Sequence, residues 1–173
     1  FALTMGDAAR LPFARASFDV VCCVDAFEHF PDPAAATREF RRVLRPGGFM
    51  FLSAPNYGNI AGIVKWWYER FGRYERDTWA PFGRWQRQEH ETLVTARRIR
   101  RWFSEAGFNG TRRIGFGREV GLGLFPWVDH PRMPDAIRFR LQTAATGAGP
   151  LVAKAFPGAS LHNFWRFDCP SDA

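Results

Sequence analysis

Lysine is almost missing from this chain. Of its 24 cationic side chains, only Lys65 and Lys154 are lysines, and the rest are arginines. Cysteine is nearly as scarce, with Cys22, Cys23 and Cys169 the whole complement. Two of these are adjacent and the third is remote. That spacing excludes a zinc knuckle and a disulfide-stapled scaffold, and reduced thiols in a cytoplasmic setting are expected. No apolar run approaches the ~20 residues needed to cross a bilayer, so a membrane-spanning helix is excluded too. Internal repeats and low-complexity tracts are absent. Acidic residues are outnumbered, which leaves a net charge of +7. Two readings of that surplus stay open. It can be the solvated face of Arg-rich helices, or attraction to an anionic partner such as a membrane or nucleic acid.

What the chain does have is a chemically pointed stretch from Phe18 to Pro55. A short apolar run, Phe18 to Val24, ends in an acidic turn that carries Asp25, Glu28 and His29. The run shows no polar alternation, as expected of a strand covered on both faces. Asp32-Pro33 then starts a helix, because Asp accepts from the orphan N–H groups and Pro loses nothing at the first helical position. Ala36, Phe40, Val43 and Leu44 fall on one helical face and Arg38, Glu39, Arg41 and Arg42 on the other. Pro46-Gly47-Gly48 is expected to stop the helix and turn the chain. A second apolar run follows from Phe49 to Leu52. This is a βαβ unit of a parallel sheet. Its polar groups gather where the first strand ends, which is where open α/β sheets bind ligands.

The wording of these motifs resembles a known family. FDVV, EHFPDP and VLRPGG with a following strand, preceded by GDAARLPF and followed by ARRIRRWFSEAGF, are similar to the class I S-adenosylmethionine-dependent methyltransferases. The match runs in the right order over roughly the first two-thirds of the chain. EHFPDP is nearest in wording to the O-methyltransferases of ubiquinone biosynthesis. The resemblance implies an α/β, Rossmann-like sheet, with parallel strands at Phe18 to Val24 and after Gly48. Antiparallel strands are expected near Thr111 to Phe116 and Leu161 to Asp168. It further implies S-adenosylmethionine as cofactor. Asp7 would then meet the adenine amine, Ala8 the adenine ring, and the backbone of Val24 and Asp25 the methionine end.

The family's G-x-G-x-G loop and its ribose-binding acid have no counterpart in these residues. The expectation is therefore a single incomplete domain, truncated before the family's third strand, with Phe1 to Met5 as that strand. Residues 1–55 form the core strands and cofactor rim, 56–91 a lid, and 92–173 a helix with antiparallel strands. The chain alone is expected to bind the cofactor weakly and to be inactive. The family's nucleobase enzymes that methylate amino groups carry Pro-Pro and an aromatic after the same strand. Here Asp25 is followed by Ala26-Phe27, so nucleic acid is not expected as a partner.

Asp25, Glu28 and His29 are the candidates for chemistry. If their turn is helical, offsets of three and four put them on one face. His29 has three roles open to it: brace of the loop, base for an acceptor proton, or partner of the two carboxylates around Mg²⁺. A resident metal is not the expectation. His90, His130 and His162 are isolated in sequence and receive no role.

The lid is the second informative feature. Ile60, Ile63, Val64, Trp67 and Phe71 share a helical face, with Lys65, Glu69 and Arg70 opposite. Trp66, Tyr68, Tyr74, Trp79, Phe82 and Trp85 add aromatic density. These rings either pack on the core or form a substrate lid and a patch for anionic membrane, through Asn56 to Glu91. The function expected is methyl transfer to a small aromatic or lipid-like acceptor, at a hydroxyl. The setting would be cytoplasmic, peripheral to the inner face of a membrane. The alternative is a non-catalytic membrane- or partner-binding module with a degenerate methyltransferase fold.

Overall fold

A computed structural model describes residues 2–71, 91–129 and 133–171. The lid aromatics beyond Phe71, together with His90 and His130, lie outside them. Two strands and a helix realise the βαβ unit: β1 (Phe18–Val24), α1 (Pro33–Val43) and β2 (Leu44–Pro55). Asp32 caps α1 by accepting from the Ala35 N–H at 2.9 Å, and Pro33 opens the first turn. β1 and β2 pair in parallel, from Val20 opposite Phe49 to Val24 opposite Ser53.

β2 begins earlier than the sequence suggests. Pro46-Gly47-Gly48 does not leave the sheet. It forms an irregular stretch inside β2, where the register jumps from Phe18 opposite Leu44 to Val20 opposite Phe49. Gly47 takes φ +76°. Gly48 passes so close to β1 that a Cβ there would lie 2.6 Å from the Asp19 carbonyl oxygen. Glycine is therefore used for a bulge and a close strand approach, not for a stop.

The rest of the sheet comes from the C-terminal half. β4 (His162–Asp168) pairs antiparallel with β2, and β3 (Asn109–Gly115) pairs antiparallel with β4, giving the order β1-β2-β4-β3. This is the mixed α/β sheet that the sequence implies. The expected strand at its start is not formed. Residues 2–6 lie outside any strand, and Leu3 and Met5 are each 99% exposed.

α1 and α3 (Ala96–Glu105) cover one face of the sheet. Thr95 caps α3 through the Arg98 N–H, and Gly107 ends it at φ +86°. Ile99 and Phe103 are buried there, and Phe103 stacks on Phe167 with centroids 3.8 Å apart. Met50, Leu52, Ala54, Trp165 and Phe167 form the sheet side of this core. On the opposite face Val20, Val24 and Ile114 are exposed, and so is Cys22. The expected burial of β1 on both faces is thus corrected. β1 is an edge strand, and the described helices pack mainly against one side of it.

α2 (Ile60–Phe71) leaves the carboxyl end of β2. Its buried face is not the apolar stripe read from the sequence. Ala61, Gly62 and Lys65 face inward, and Ile63, Trp66, Trp67 and Phe71 are exposed. Lys65 is 1% exposed because its ammonium is satisfied. It donates to Glu91 at 2.9 Å, and Tyr57 donates to the other oxygen of the same carboxylate at 2.6 Å. A paired charge can be buried where an unpaired one cannot. Between β3 and β4 the chain makes an excursion built from α4 (Val120–Leu124) and the longer α5 (Asp135–Ala155), with short 3-10 turns between elements.

Candidate functional site

The carboxyl ends of the two parallel strands meet at Val24 and Ser53. Asp25, the next residue, turns the chain through φ +45°. Asp is one of the few side chains that tolerate this left-handed region. Its N–H donates to the Ser53 carbonyl at 3.1 Å, and the Ser53 hydroxyl donates to its carboxylate at 2.5 Å. A 3-10 turn over Phe27–His29 follows. Phe27 anchors it, fully buried against Trp102 and Phe103.

This geometry separates the three candidates instead of aligning them on one helical face. Asp25 is engaged by Ser53. Glu28 is only 5% exposed, and its Oε2 has no hydrogen-bond partner. Burial pushes the Glu28 carboxyl above the ordinary carboxylate range, against the opposing pull of its own backbone N–H and of His29. Asp25 is the most exposed of the three, and the partly buried His29 places Nε2 3.8 Å from Glu28 Oε1. That is an electrostatic contact, not a hydrogen bond. Among the described residues no group of three His, Cys, Asp or Glu is placed to hold a metal.

Asp7 and Ala8 lie in a separate turn. The Asp7 carboxylate accepts from the Ala9 N–H at 2.8 Å, and Ala8 packs against the core. Glu39 and Arg42 of α1 tie the following segment down through the backbone of Leu11 and Phe13. Among the described residues no hydrogen bond joins Asp7 to the Asp25–His29 turn.

One residue at this rim was given no role from sequence. His162 opens β4 directly opposite Pro55 of β2, so the antiparallel register carries it to the same sheet edge as Ser53 and Asp25. Glu119 holds it twice, through the His162 backbone N–H at 3.0 Å and ring Nδ1 at 2.6 Å. Burial alone would push the His162 pKa down. The hydrogen bond and charge of Glu119, with Asp25 and Glu28, outweigh it and leave the pKa raised. The signal was available in the sequence. Once a last strand runs antiparallel to β2, its first residues must stand at the rim.

Next to Glu119 lies an apolar cavity of about 400 Å³ between α4 and α5, lined by Val120, Leu124, Phe125, Val128 and Leu141, with Gln142 and Arg118 as polar members. A shallower groove of about 520 Å³ runs beside α2, past Tyr57, Ile63, Trp66 and Arg98.

Residues 1–52 match the methyltransferase domain family. The chain is 43% identical over 53 residues to the ubiquinone biosynthesis O-methyltransferase of Marinobacter nauticus, which is 31% of this chain and 22% of that protein. It is 31% identical over 122 residues to the demethylmenaquinone methyltransferase of Listeria monocytogenes, which is 65% of this chain and 50% of that protein. These matches make the chain similar to the class I S-adenosylmethionine-dependent methyltransferases. It spans about half the length of the menaquinone relatives it matches. In three dimensions it is similar to a SAM-dependent methyltransferase of Thermotoga maritima, with a TM-score of 0.56 at 16% identity, over 94% of this chain and 61% of that one. It is also similar to a Haemonchus contortus phosphoethanolamine N-methyltransferase in complex with S-adenosyl-L-methionine, with a TM-score of 0.53 at 14% identity, over 95% of this chain and 36% of that one. A cyclase shares the fold at a TM-score of 0.51, so the fold alone does not name the reaction.

S-Adenosylmethionine is the cofactor of the methyltransferases this chain resembles. The Asp7 carboxylate is exposed, and the buried Oε2 of Glu28 is an acceptor without a donor. When bound, the cofactor supplies an already activated methyl group.

The Glu28 carboxyl gives a pH test. Its raised pKa means that the unfolded chain ionises first as pH rises. Stability is then lost between the unfolded and folded values and stays lost above them. Glu28→Gln cannot ionise. It should leave stability near pH 4 almost unchanged and raise it at pH 8, read as urea midpoints. Equal shifts at both pH values would contradict the buried, strained carboxyl.

Proposed function

We propose that this chain builds the acceptor side of an enzyme that moves a methyl group from S-adenosylmethionine to a hydroxyl of a small aromatic or lipid-like molecule. The observation that carries this reading is the apolar cavity of about 400 Å³ set beside Glu119, whose carboxylate holds the rim histidine. Such a cavity suits an aromatic ring or the start of an aliphatic tail, and its few polar members suit orientation more than tight charge recognition. The names of the relatives, ubiquinone and demethylmenaquinone methyltransferases, point to acceptors of that chemistry. Asp7, Ala8, Val24 and Asp25 serve the cofactor in this reading. Glu28 and His29 face the acceptor. The chemistry asks mainly for in-line positioning and exclusion of water. These 173 residues contain no glycine-rich phosphate-loop-like segment to complete the cofactor's cradle. Weak cofactor affinity and little turnover in this chain alone are part of the proposal.

Acceptor binding can be measured without turnover. Catechol added to the chain should shift the NMR methyl signals of Val120, Leu124 and Val128 in a saturable way. Leu124→Trp fills the cavity and should weaken that binding by tenfold or more, about 1.4 kcal/mol. Unchanged binding in Leu124→Trp would remove the cavity from the proposal.

A second element concerns location. α2 exposes Ile63, Trp66, Trp67 and Phe71 together, beside Arg70. A contiguous aromatic patch of this kind with a cation suits peripheral contact with an anionic membrane. Among the described residues no helix is long and apolar enough to cross one. Flotation with anionic vesicles at low salt should carry the chain upward. The bound fraction should fall with salt and with Trp66→Ala/Trp67→Ala. If the chain ignores such vesicles, α2 is an acceptor-facing or protein-facing surface, and the non-catalytic membrane module falls with it.

A further inference from the structure

The rim holds two imidazoles, His29 in the 3-10 turn and His162 at the start of β4. His162 is fixed at both ends. Its backbone N–H and its ring Nδ1 both meet Glu119 Oε2, at 3.0 and 2.6 Å. An ionised carboxylate can only accept, so Nδ1 carries the proton and donates it. That fixes the tautomer and leaves the Nε2 lone pair for a ligand. Among the described residues Nε2 makes no hydrogen bond.

Position agrees with chemistry. β2 lies between β1 and β4, so His162 and Asp25 stand two strand spacings apart, about 10 Å, across the end of β2. The carboxylates of Asp25 and Glu28 act on His162 from the far side of that interval, and Glu119 acts from its own side. A positive charge formed on the ring is therefore surrounded by groups that stabilise it. Arg118 and Val120, the neighbours of Glu119 in sequence, line the apolar cavity.

We propose that His162 is the base that takes the proton from the methyl acceptor, with Glu119 as the residue that positions it. This rests on the acceptor reading above. In the step, the acceptor O–H bond breaks and its electron pair stays on oxygen, ready to attack the methyl carbon. The proton forms a bond to Nε2, and the resulting imidazolium is held by Glu119. A positioned base of this kind accounts for about 10²–10⁴-fold in rate.

The test uses 4-nitrocatechol, whose phenolate absorbs in the visible. It is added at a pH where the free probe is largely un-ionised. Binding is followed separately, by NMR shifts of Val120 and Leu124. The wild-type chain should bind the probe and show the phenolate band. His162→Gln should still bind it but lose the band. Glu119→Gln leaves the ring in place and should shrink the band, which covers the case of a His162 variant that fails to fold. A probe that binds without ionising overturns the base while leaving the acceptor site standing. Survival of the band in His162→Gln also overturns it. A probe that does not bind overturns the acceptor reading and this inference together.

Discussion

The pairing of β2 with a parallel neighbour on one side and an antiparallel one on the other sets the whole site. Parallel pairing brings the end of β1 to Ser53, and antiparallel pairing brings the start of β4 to Pro55. One sheet edge therefore collects groups from residues 25–29, 53–55 and 162, far apart in the chain. A slip of one residue would turn every side chain on β2 to the other face. The register is held by Met50, Leu52 and Ala54 on the core side, all fully buried against α1 and α3. It is also held by Gly48, which lets β2 approach Asp19 closely after the bulge. Burial of a methionine and a leucine at about 1.5–3 kcal/mol each makes a slipped register costly.

At this edge the chemistry is a contest between burial and pairing. Lys65 is buried with its charge intact because Glu91 and Tyr57 satisfy it. Glu28 is buried without a full set of partners, and its pKa rises. His162 is partly buried, yet Glu119 outweighs the desolvation. The unsatisfied group and the pre-oriented imidazole are the two features that a stable core has no use for. The apolar cavity beside Glu119, which holds the imidazole, directs the functional reading to an acceptor, since the fold by itself serves more than one reaction.

Much of this was legible in the sequence. Asp32-Pro33 and Thr95 are local signals, a side-chain oxygen placed to accept from the first turn, and both act as the residues imply. The parallel β1–β2 pair and the antiparallel closing strands also follow from the motifs, and the comparisons agree with the family they suggest. The differences have physical causes that no local pattern carries. Cys22 is exposed because one face of β1 is left open. Pro46-Gly47-Gly48 reads as a stop but becomes a bulge, since pairing with β1 and the close approach at Asp19 outweigh turn propensity. On α2 the polar Lys65 faces inward and Trp66 and Trp67 outward, because a distant carboxylate at Glu91 satisfies the lysine. His162 has no neighbouring motif, and only the strand register gives it a site.

The acceptor site proposed above lies at the end of β2, between the Asp25 turn and the His162–Glu119 pair. Isotope-filtered NOE spectroscopy of the chain with bound catechol tests it most directly. The account predicts contacts from the catechol ring protons to the His162 ring and also to the β protons of Ser53 or Asp25. Contacts to residues of the α2 groove alone, with none at His162, would contradict it.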